Sequence, residues 1–193
     1  MLYFFCTKEK CSFYYVFNKK GGEMMSRFKK VSSEQFTKDM INLGYNSDKN
    51  SQELAQIYEE VKLPTRSTQG AAGYDFYSPI GVTLEPENAV ILPSGVSWIG
   101  DKNTFLSIVP RSGLGFKYQL GLSNTIGIVD ADFCLSDNEG HIMIKLVNRS
   151  IEGKTLTIEK GDRIAQGIIM PFLTVEDDNA TGIRNGGFGS TGK

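Results

Sequence analysis

The chain has 193 residues, of which 40% are apolar and 22% charged, so it can bury a core and is not a disordered polymer. Its 21 basic and 22 acidic residues leave a net charge of −1, which argues against a broad basic surface for nucleic acid. No apolar run reaches the roughly 18 residues of a membrane span. Three cysteines, Cys6, Cys11 and Cys134, are too few for a disulfide framework, so we expect a cytoplasmic protein.

The first 25 residues differ in composition from the rest of the chain. Residues 1–30 carry seven basic and two acidic side chains, and charged residues at 8–10 interrupt an otherwise aromatic stretch. A secretory signal needs an unbroken apolar stretch, so that interpretation is rejected. We expect residues 1–25 to be an extension outside the core. A tether to a membrane or a partner is the less favoured alternative.

Residues 26–60 carry the signals of two short helices. Ser32 is followed three residues later by Gln35, a capping-box pattern, and Gly44 suits the end of that helix. A second helix is predicted from Ser51, where apolar residues recur at helical spacing. We predict a helical appendage over residues 26–60, packed on the main domain as a hairpin.

The pattern changes from Val61 onward. Short stretches of β-branched and aromatic residues alternate with turn residues, which predicts an all-β fold over residues 61–183. The predicted strands are Val82–Leu84, Ala89–Leu92, Phe105–Val109, His141–Val147, Thr155–Ile158 and Ile164–Pro171. No helical periodicity is found in this part. Residues 184–193 form a glycine-rich tail, typical of a segment that becomes ordered on a ligand.

Four clusters in this region could carry chemistry. The loop at 110–115 combines Arg111 with a hydroxyl and two glycines, which lets backbone amides approach an anion. The segment 124–133 holds Asp130 and Asp132 at alternate positions, so in a strand both face one side. The segment 160–166 is interpreted in part as a turn closed by an Asp–Arg pair before a buried strand. The tail at 184–192 offers glycines, hydroxyls and an aromatic ring.

These clusters follow Ala72–Ser78, and the five segments in order resemble the motifs of trimeric-type deoxyuridine triphosphatases (dUTPases) over roughly residues 61–193. The resemblance implies a jelly-roll-like β-barrel that hydrolyses dUTP to dUMP and pyrophosphate by attack of water on the α-phosphorus. Such an enzyme limits uracil incorporation into DNA and supplies dUMP for dTMP synthesis. The helical segment 26–60 is not part of the common core of that family.

Individual roles follow from the resemblance. Asp130 matches the general base, and Asp75 and Asp132 match supporting carboxylates. The substrate-binding residues implied are Arg111, Ser112, Gly113, Asn124, Gly127, Phe133, Gln166, Arg184, Phe188, Gly189, Ser190 and Thr191. The resemblance also implies Mg²⁺, held mainly by the substrate phosphates and water with no direct protein ligand. It implies a homotrimer whose active sites are shared between subunits, with the tail closing over the site, and no nucleic-acid or membrane partner.

The chain departs from the family pattern at two places. Phe133 stands where the family usually has tyrosine, which puts in doubt any hydrogen bond from a phenol hydroxyl there. Residues 134–139 replace a shorter turn and are expected to form a lengthened surface tip of the 124–133 hairpin. His141 follows this tip and is expected to be a solvated residue at the start of a strand. Cys134 has no basic neighbour and is not expected to be reactive.

Three other functions are weighed against this one. A dCTP deaminase resembles this chain up to the strand after the hairpin, but Lys145 stands where that family has its working glutamate. A nucleotide-gated regulatory protein could use the 26–60 segment as a partner surface. A structural β domain without catalysis would release no pyrophosphate from dUTP.

Overall fold

The computed structural model describes residues 26–45 and 51–182, so residues 1–25 and the predicted tail lie outside the described residues. Eleven strands, three α-helices and one 3₁₀ turn are found there. They are β1 (Arg27–Lys30), α1 (Ser33–Asn42), α2 (Ser51–Glu59), β2 (Tyr74–Tyr77), β3 (Val82–Leu84), β4 (Ala89–Pro93), β5 (Val96–Ile99), β6 (Thr104–Pro110), α3 (Ser112–Tyr118), β7 (Leu120–Leu122), β8 (Gly127–Asp130), the 3₁₀ turn (Phe133–Leu135), β9 (Met143–Asn148), β10 (Leu156–Ile158) and β11 (Arg163–Pro171).

The two predicted N-terminal helices are confirmed. The Ser32 hydroxyl accepts the backbone N–H of Gln35, which satisfies one free amide of the first turn of α1. Gly44 takes the left-handed conformation (φ +80°) just past the helix end, where a residue with a Cβ would be strained. The same segment also contributes strand β1, which pairs antiparallel with β5.

The strands make an all-β core, as predicted. The largest sheet has the order β2-β11-β6-β8, a second has β4-β9-β7, and two-stranded sheets pair β1 with β5 and β10 with β3. Every named pairing is antiparallel. Within residues 26–45 and 51–182 the strands form four sheets rather than one closed barrel.

One continuous core joins the sheets to the N-terminal segment. Trp98 and Phe76 are fully buried among strand residues, and Phe36 and Met40 of α1 belong to the same cluster. Phe28 of β1 meets the Phe76 ring edge-on, with centroids 5.7 Å apart. The burial of large aromatic and aliphatic side chains from both parts stabilises their contact.

Three local expectations are wrong. Residues 112–118 form helix α3 rather than a loop. β8 ends at Asp130, so Asp132 does not share its strand face but precedes the 3₁₀ turn. The segment 124–133 is not a hairpin, because β8 pairs with β6 while the preceding β7 pairs with β9.

Candidate active site

A cavity of about 420 Å³ lies where the second cluster was predicted to bind a ligand. Its lining includes Asn124, Gly127, Asp130 and Phe133, which are four of the predicted site residues. The chain reaches it through a turn at 123–126, in which Thr125 has a φ of +66° and the Ile126 amide donates to the Asn124 carbonyl over 2.7 Å. The structure therefore gathers the nucleoside-binding candidates and the predicted base around one space.

Local packing explains two of these positions. Gly127 pairs with Ile108 of β6, and a Cβ at Gly127 would lie only 3.1 Å from the Ile108 Cβ, so the close approach of the strands favours glycine. Phe133 is buried in the 3₁₀ turn directly after β8. Asp130 is exposed at the end of β8, where a carboxylate remains accessible to water and ligand.

A second cluster, here called the arginine cluster, surrounds the buried Asp75. It consists of Asp75, Arg111, Arg163, Gln166 and Ser67. Antiparallel pairing of β2 with β11 sets Asp75 opposite Gln166, so their side chains share one face. The Asp75 carboxylate is only 3% exposed, and it accepts hydrogen bonds from all four of its partners.

Distances within the arginine cluster show how the arginines are fixed. Arg111 Nε lies 3.1 Å from Asp75 Oδ1, and Arg163 Nη1 lies 3.2 Å from Oδ2. Ser67 Oγ donates to Oδ2 over 2.9 Å, and the Gln166 amide is a weaker donor to Oδ1 at 3.4 Å. Burial by itself raises the pKa of Asp75, but the bonds from Ser67 and Gln166 and the two arginines outweigh it and hold that pKa below its ordinary value. The carboxylate is therefore charged and orients two guanidinium groups.

Other predicted residues fall in less defined places. Ser112 and Gly113 lie in the first turn of α3 next to Arg111, and a Cβ at Gly113 would meet nothing within 4 Å. Asp132 is exposed, and its carbonyl accepts the Leu135 amide in the 3₁₀ turn. The tail residues Arg184, Phe188, Gly189, Ser190 and Thr191 lie outside the described residues.

Sequence reasoning missed two members of the arginine cluster. Arg163 was assigned to a turn with Asp162, yet its side chain pairs with Asp75, and the Asp162 carboxylate instead accepts the Glu159 amide. Alternation along β11 places Arg163 at a strand end and could have suggested a site role. Ser67 lies in an irregular stretch that carries no such signal. Lys145 also lines the cavity that holds Asn124 and Asp130, although sequence reasoning used it only to argue against a deaminase.

The two groups of residues are far apart within one chain. β6 pairs Phe105 with Asp130 near one end and Pro110 with Ala165 at the other. Arg111 therefore lies six residues along the strand from the position opposite Asp130, about 20 Å at roughly 3.3 Å per residue. Within one chain, Asp130 and the arginine cluster therefore lie towards opposite ends of β6.

None of the described helices is long and apolar enough to cross a membrane. Among residues 26–45 and 51–182, no group of three or more histidine, cysteine, aspartate or glutamate side chains is placed to hold a metal ion.

Comparisons with known proteins agree on one family. A sequence model of the dUTPase family matches residues 59–192. The deoxyuridine 5'-triphosphate nucleotidohydrolase of Glaesserella parasuis serovar 5 is 42% identical over 146 residues, covering 72% of this chain and 92% of that protein. The crystal structure of dUTPase from Streptococcus mutans matches with a TM-score of 0.54 and 34% identity, over 59% of this chain and 88% of that one. A dUTPase from phage phi11 of S. aureus, solved with a structural Mg(II) ion, shares the fold at 24% identity and a TM-score of 0.53, over 64% and 92% of the two chains.

Proposed function

The chain belongs to the dUTPase family and is a dUTP nucleotidohydrolase, and from this premise we propose that Asp130 activates the attacking water. The single observation that carries this proposal is the cavity lined by Asn124, Gly127, Asp130 and Phe133. An exposed carboxylate beside a nucleotide can accept the proton of a water as it attacks the α-phosphorus. Such general-base catalysis accelerates a reaction by about 10²–10⁴-fold.

The arginine cluster supports a phosphate-binding role. Arg111 is oriented by Asp75 through a bond at Nε, which leaves its remaining donors able to bind a phosphate oxygen. One of them, Nη1, lies 3.4 Å from the Arg163 carbonyl, a long contact that a phosphate can replace. Ser112, Gly113 and Gln166 add neutral donors beside it. We propose that the tail residues Arg184, Ser190 and Thr191 complete the neutralisation when they close over the triphosphate.

Nucleoside selection is assigned to the cavity. Asn124 offers an amide for hydrogen bonds to the uracil edge, and the buried Phe133 ring supplies a surface against the deoxyribose. Phe133 cannot donate a hydrogen bond, so discrimination there rests on shape, which is worth about 1–3 kcal/mol for one small group. Phe188 of the tail is proposed to cover the base, with Gly189 giving the tail its freedom to close.

A composite site follows from the separation along β6. Since Asp130 and Arg111 are about 20 Å apart within one chain, the two must meet on the same triphosphate from different copies of the chain. We propose the homotrimer that the resemblance implies, with each site built from more than one subunit. A dimer that brings the same two residues together is the alternative, and the mass of the assembly in solution distinguishes the two.

Magnesium is proposed to enter as part of the substrate. Mg²⁺ retains waters and is commonly bound through substrate phosphates rather than a protein cage. In the phi11 relative the Mg(II) ion is described as structural, whereas the role proposed here is with the substrate. Supply of dUMP for dTMP synthesis and the cytoplasmic location stay predictions from the sequence.

A pyrophosphate-release panel tests the function. Purified full-length protein is given dUTP, dTTP, dCTP or UTP, each with and without Mg²⁺, and dCTP reactions are also assayed for ammonia. We expect release from dUTP to exceed release from the other three, and to stop when Mg²⁺ is chelated. Equal release from all four nucleotides would contradict the assignment of the cavity, and ammonia from dCTP would favour the deaminase.

A further inference from the structure

The chain's one histidine is buried against a helix that lies outside the family match. His141 was expected to be solvated, but it is 0% exposed, and its Nδ1 lies 2.6 Å from the Asp39 carboxylate of α1. Its Nε2 accepts the Gly95 backbone N–H over 2.8 Å. Because a nitrogen that accepts from an amide carries no proton, the ring proton is on Nδ1 and is donated to Asp39. Residues 59–192 match the family, so Asp39 belongs to the part that precedes it.

Asp39 is itself held in place. The Gln35 side-chain amide donates to the same Asp39 Oδ2 over 2.8 Å, so this oxygen accepts two bonds. Burial acts to raise the pKa of Asp39, but these bonds from His141 and Gln35 outweigh it and keep the pKa below its ordinary value. The contact is therefore a charge-assisted pair within a largely buried setting.

A second contact joins the same helix to the same segment of the core. The Glu139 carboxylate accepts the Ser32 backbone N–H over 2.8 Å and the Ser32 hydroxyl over 2.6 Å. These bonds from Ser32 lower the pKa of Glu139 against a smaller opposing effect of burial. Glu139 lies in the 134–139 insertion, and its φ of +58° is one that a residue with a side chain seldom adopts without support. The insertion thus caps the start of α1.

The residue between the two contacts packs against the wall of the nucleoside cavity. Gly140 separates Glu139 from His141, and a Cβ there would lie 2.5 Å from the Cys134 Cα and 2.8 Å from the Phe133 carbonyl oxygen. The backbone at 140 is therefore packed directly against the backbone that carries Phe133. Ile142, the residue after His141, lines the same cavity.

We propose that the N-terminal segment 26–45 is a positioning element for the nucleoside cavity, with Asp39 and Ser32 as positioning residues that act through His141 and Glu139 on Phe133. The inference rests on the proposed function of that cavity. It gives the N-terminal segment and residues 139–141 one shared role, because Ser32 and Asp39 on one side and Glu139 and His141 on the other form the two contacts that fix residues 133–142. Loss of either contact frees the Phe133 ring to move. The discrimination between deoxyribose and ribose is then weakened.

The test compares variants of Asp39 in the full-length protein. Asp39→Ala removes both hydrogen bonds, whereas Asp39→Asn keeps an oxygen that can accept from His141 and Gln35 and serves as the conservative rescue. Glu34→Ala is the matched control, because Glu34 is an exposed carboxylate on the same helix. The measurements are KM and kcat for dUTP and UTP at a temperature where every variant is folded, and amide hydrogen exchange over residues 133–142.

We expect Asp39→Ala to lower the preference in kcat/KM for dUTP over UTP about tenfold or more, the size of one lost charge-assisted hydrogen bond. Exchange over 133–142 should rise, while Asp39→Asn and Glu34→Ala should resemble the unmodified protein in both measurements. Ser32→Ala, a milder change at the exposed contact, should shift both in the same direction by about twofold.

Unchanged selectivity in Asp39→Ala would overturn the inference, even if that variant melts at a lower temperature and its amides exchange faster, because a purely stabilising contact predicts only those two changes. Failure of the proposed function looks different. In that case the unmodified protein does not hydrolyse dUTP at all, whatever the exchange at 133–142 shows.

Discussion

Replacement of Asp75 by asparagine tests the arginine cluster with almost no change in side-chain volume. One oxygen of the carboxylate faces Arg111 and Gln166, and the other faces Ser67 and Arg163. Whichever way the new amide turns, its NH₂ group replaces one of these oxygens and meets an arginine that can only donate. The Asp75→Asn variant would therefore retain about half of the bonds and none of the charge.

The magnitude follows from exposure. Hydrogen bonds to a charged group contribute about 1.5–3 kcal/mol each when buried. The Arg163 side chain is 46% exposed and recovers water when its partner is lost, so its bond contributes much less. The Arg111 side chain is only 25% exposed and recovers less water, so the loss of its bond costs more free energy. We expect the Asp75→Asn change to lower the free energy of unfolding by about 2 kcal/mol at neutral pH, and Tm by about 4–8 °C.

The pH dependence of that loss is the sharper measurement. The folded-state pKa of Asp75 is depressed, so its stabilisation is fully present above the unfolded value of about 3.9 and disappears as pH falls through the folded value. Urea unfolding of both proteins at about pH 7 and about pH 3 should thus show a difference that shrinks in acid. Asp137→Asn, at an exposed carboxylate, is the control and should leave the free energy of unfolding unchanged at both pH values. A difference that is the same at both pH values would refute this account of the cluster.

Three further changes probe other contacts. Gly95→Ala places a Cβ 2.8 Å from both Val61 methyl groups at a φ of +73°, and strain plus overpacking should cost about 2–4 kcal/mol, measured by urea unfolding. Glu139→Gln should lower the free energy of unfolding above about pH 4.3, where the unmodified protein has the full stabilisation from this carboxylate. The unmodified protein loses that stabilisation in acid, so the urea midpoints of the variant and the unmodified protein should converge as pH falls. Glu60→Gln breaks an exposed ion pair with Lys160 and should leave the urea midpoint unchanged, since such pairs contribute little; a clear shift would show that the pair matters.

Local patterns in the sequence are enough to locate most of the strands and the first two helices. β3, β4 and β11 fall within a residue or two of their predicted bounds, because alternation and turn residues are local signals. Helix α3 escaped prediction because Ser-Gly-Leu-Gly-Phe contains two glycines, which are poor helix formers. β1 is a short, mostly basic stretch whose strand conformation depends on pairing with β5, a contact about 70 residues away.

Long-range partners are what sequence reasoning could not supply. Motif resemblance identified Asp75, Arg111 and Gln166, but nothing local connects Asp75 with Arg163, which lies 88 residues further along the chain. The environment of His141 was wrongly predicted for the same reason, since Asp39 is 102 residues away. A strand-start histidine is ordinarily solvated, but here α1 packs against it through Phe36 and Asp39, and the Gly95 backbone lies on its other nitrogen.

The most direct test of the central claim is the effect of Asp130→Asn on binding and turnover measured separately. Binding of a non-hydrolysable dUTP analogue with Mg²⁺ is followed by calorimetry, and pyrophosphate release from dUTP is measured on the same preparation, with Asp137→Asn as the matched control. We expect Asp130→Asn to bind within about threefold of the unmodified protein and to turn over at least about 100-fold more slowly. Turnover near that of the control would contradict the assignment of Asp130 as the base that activates water.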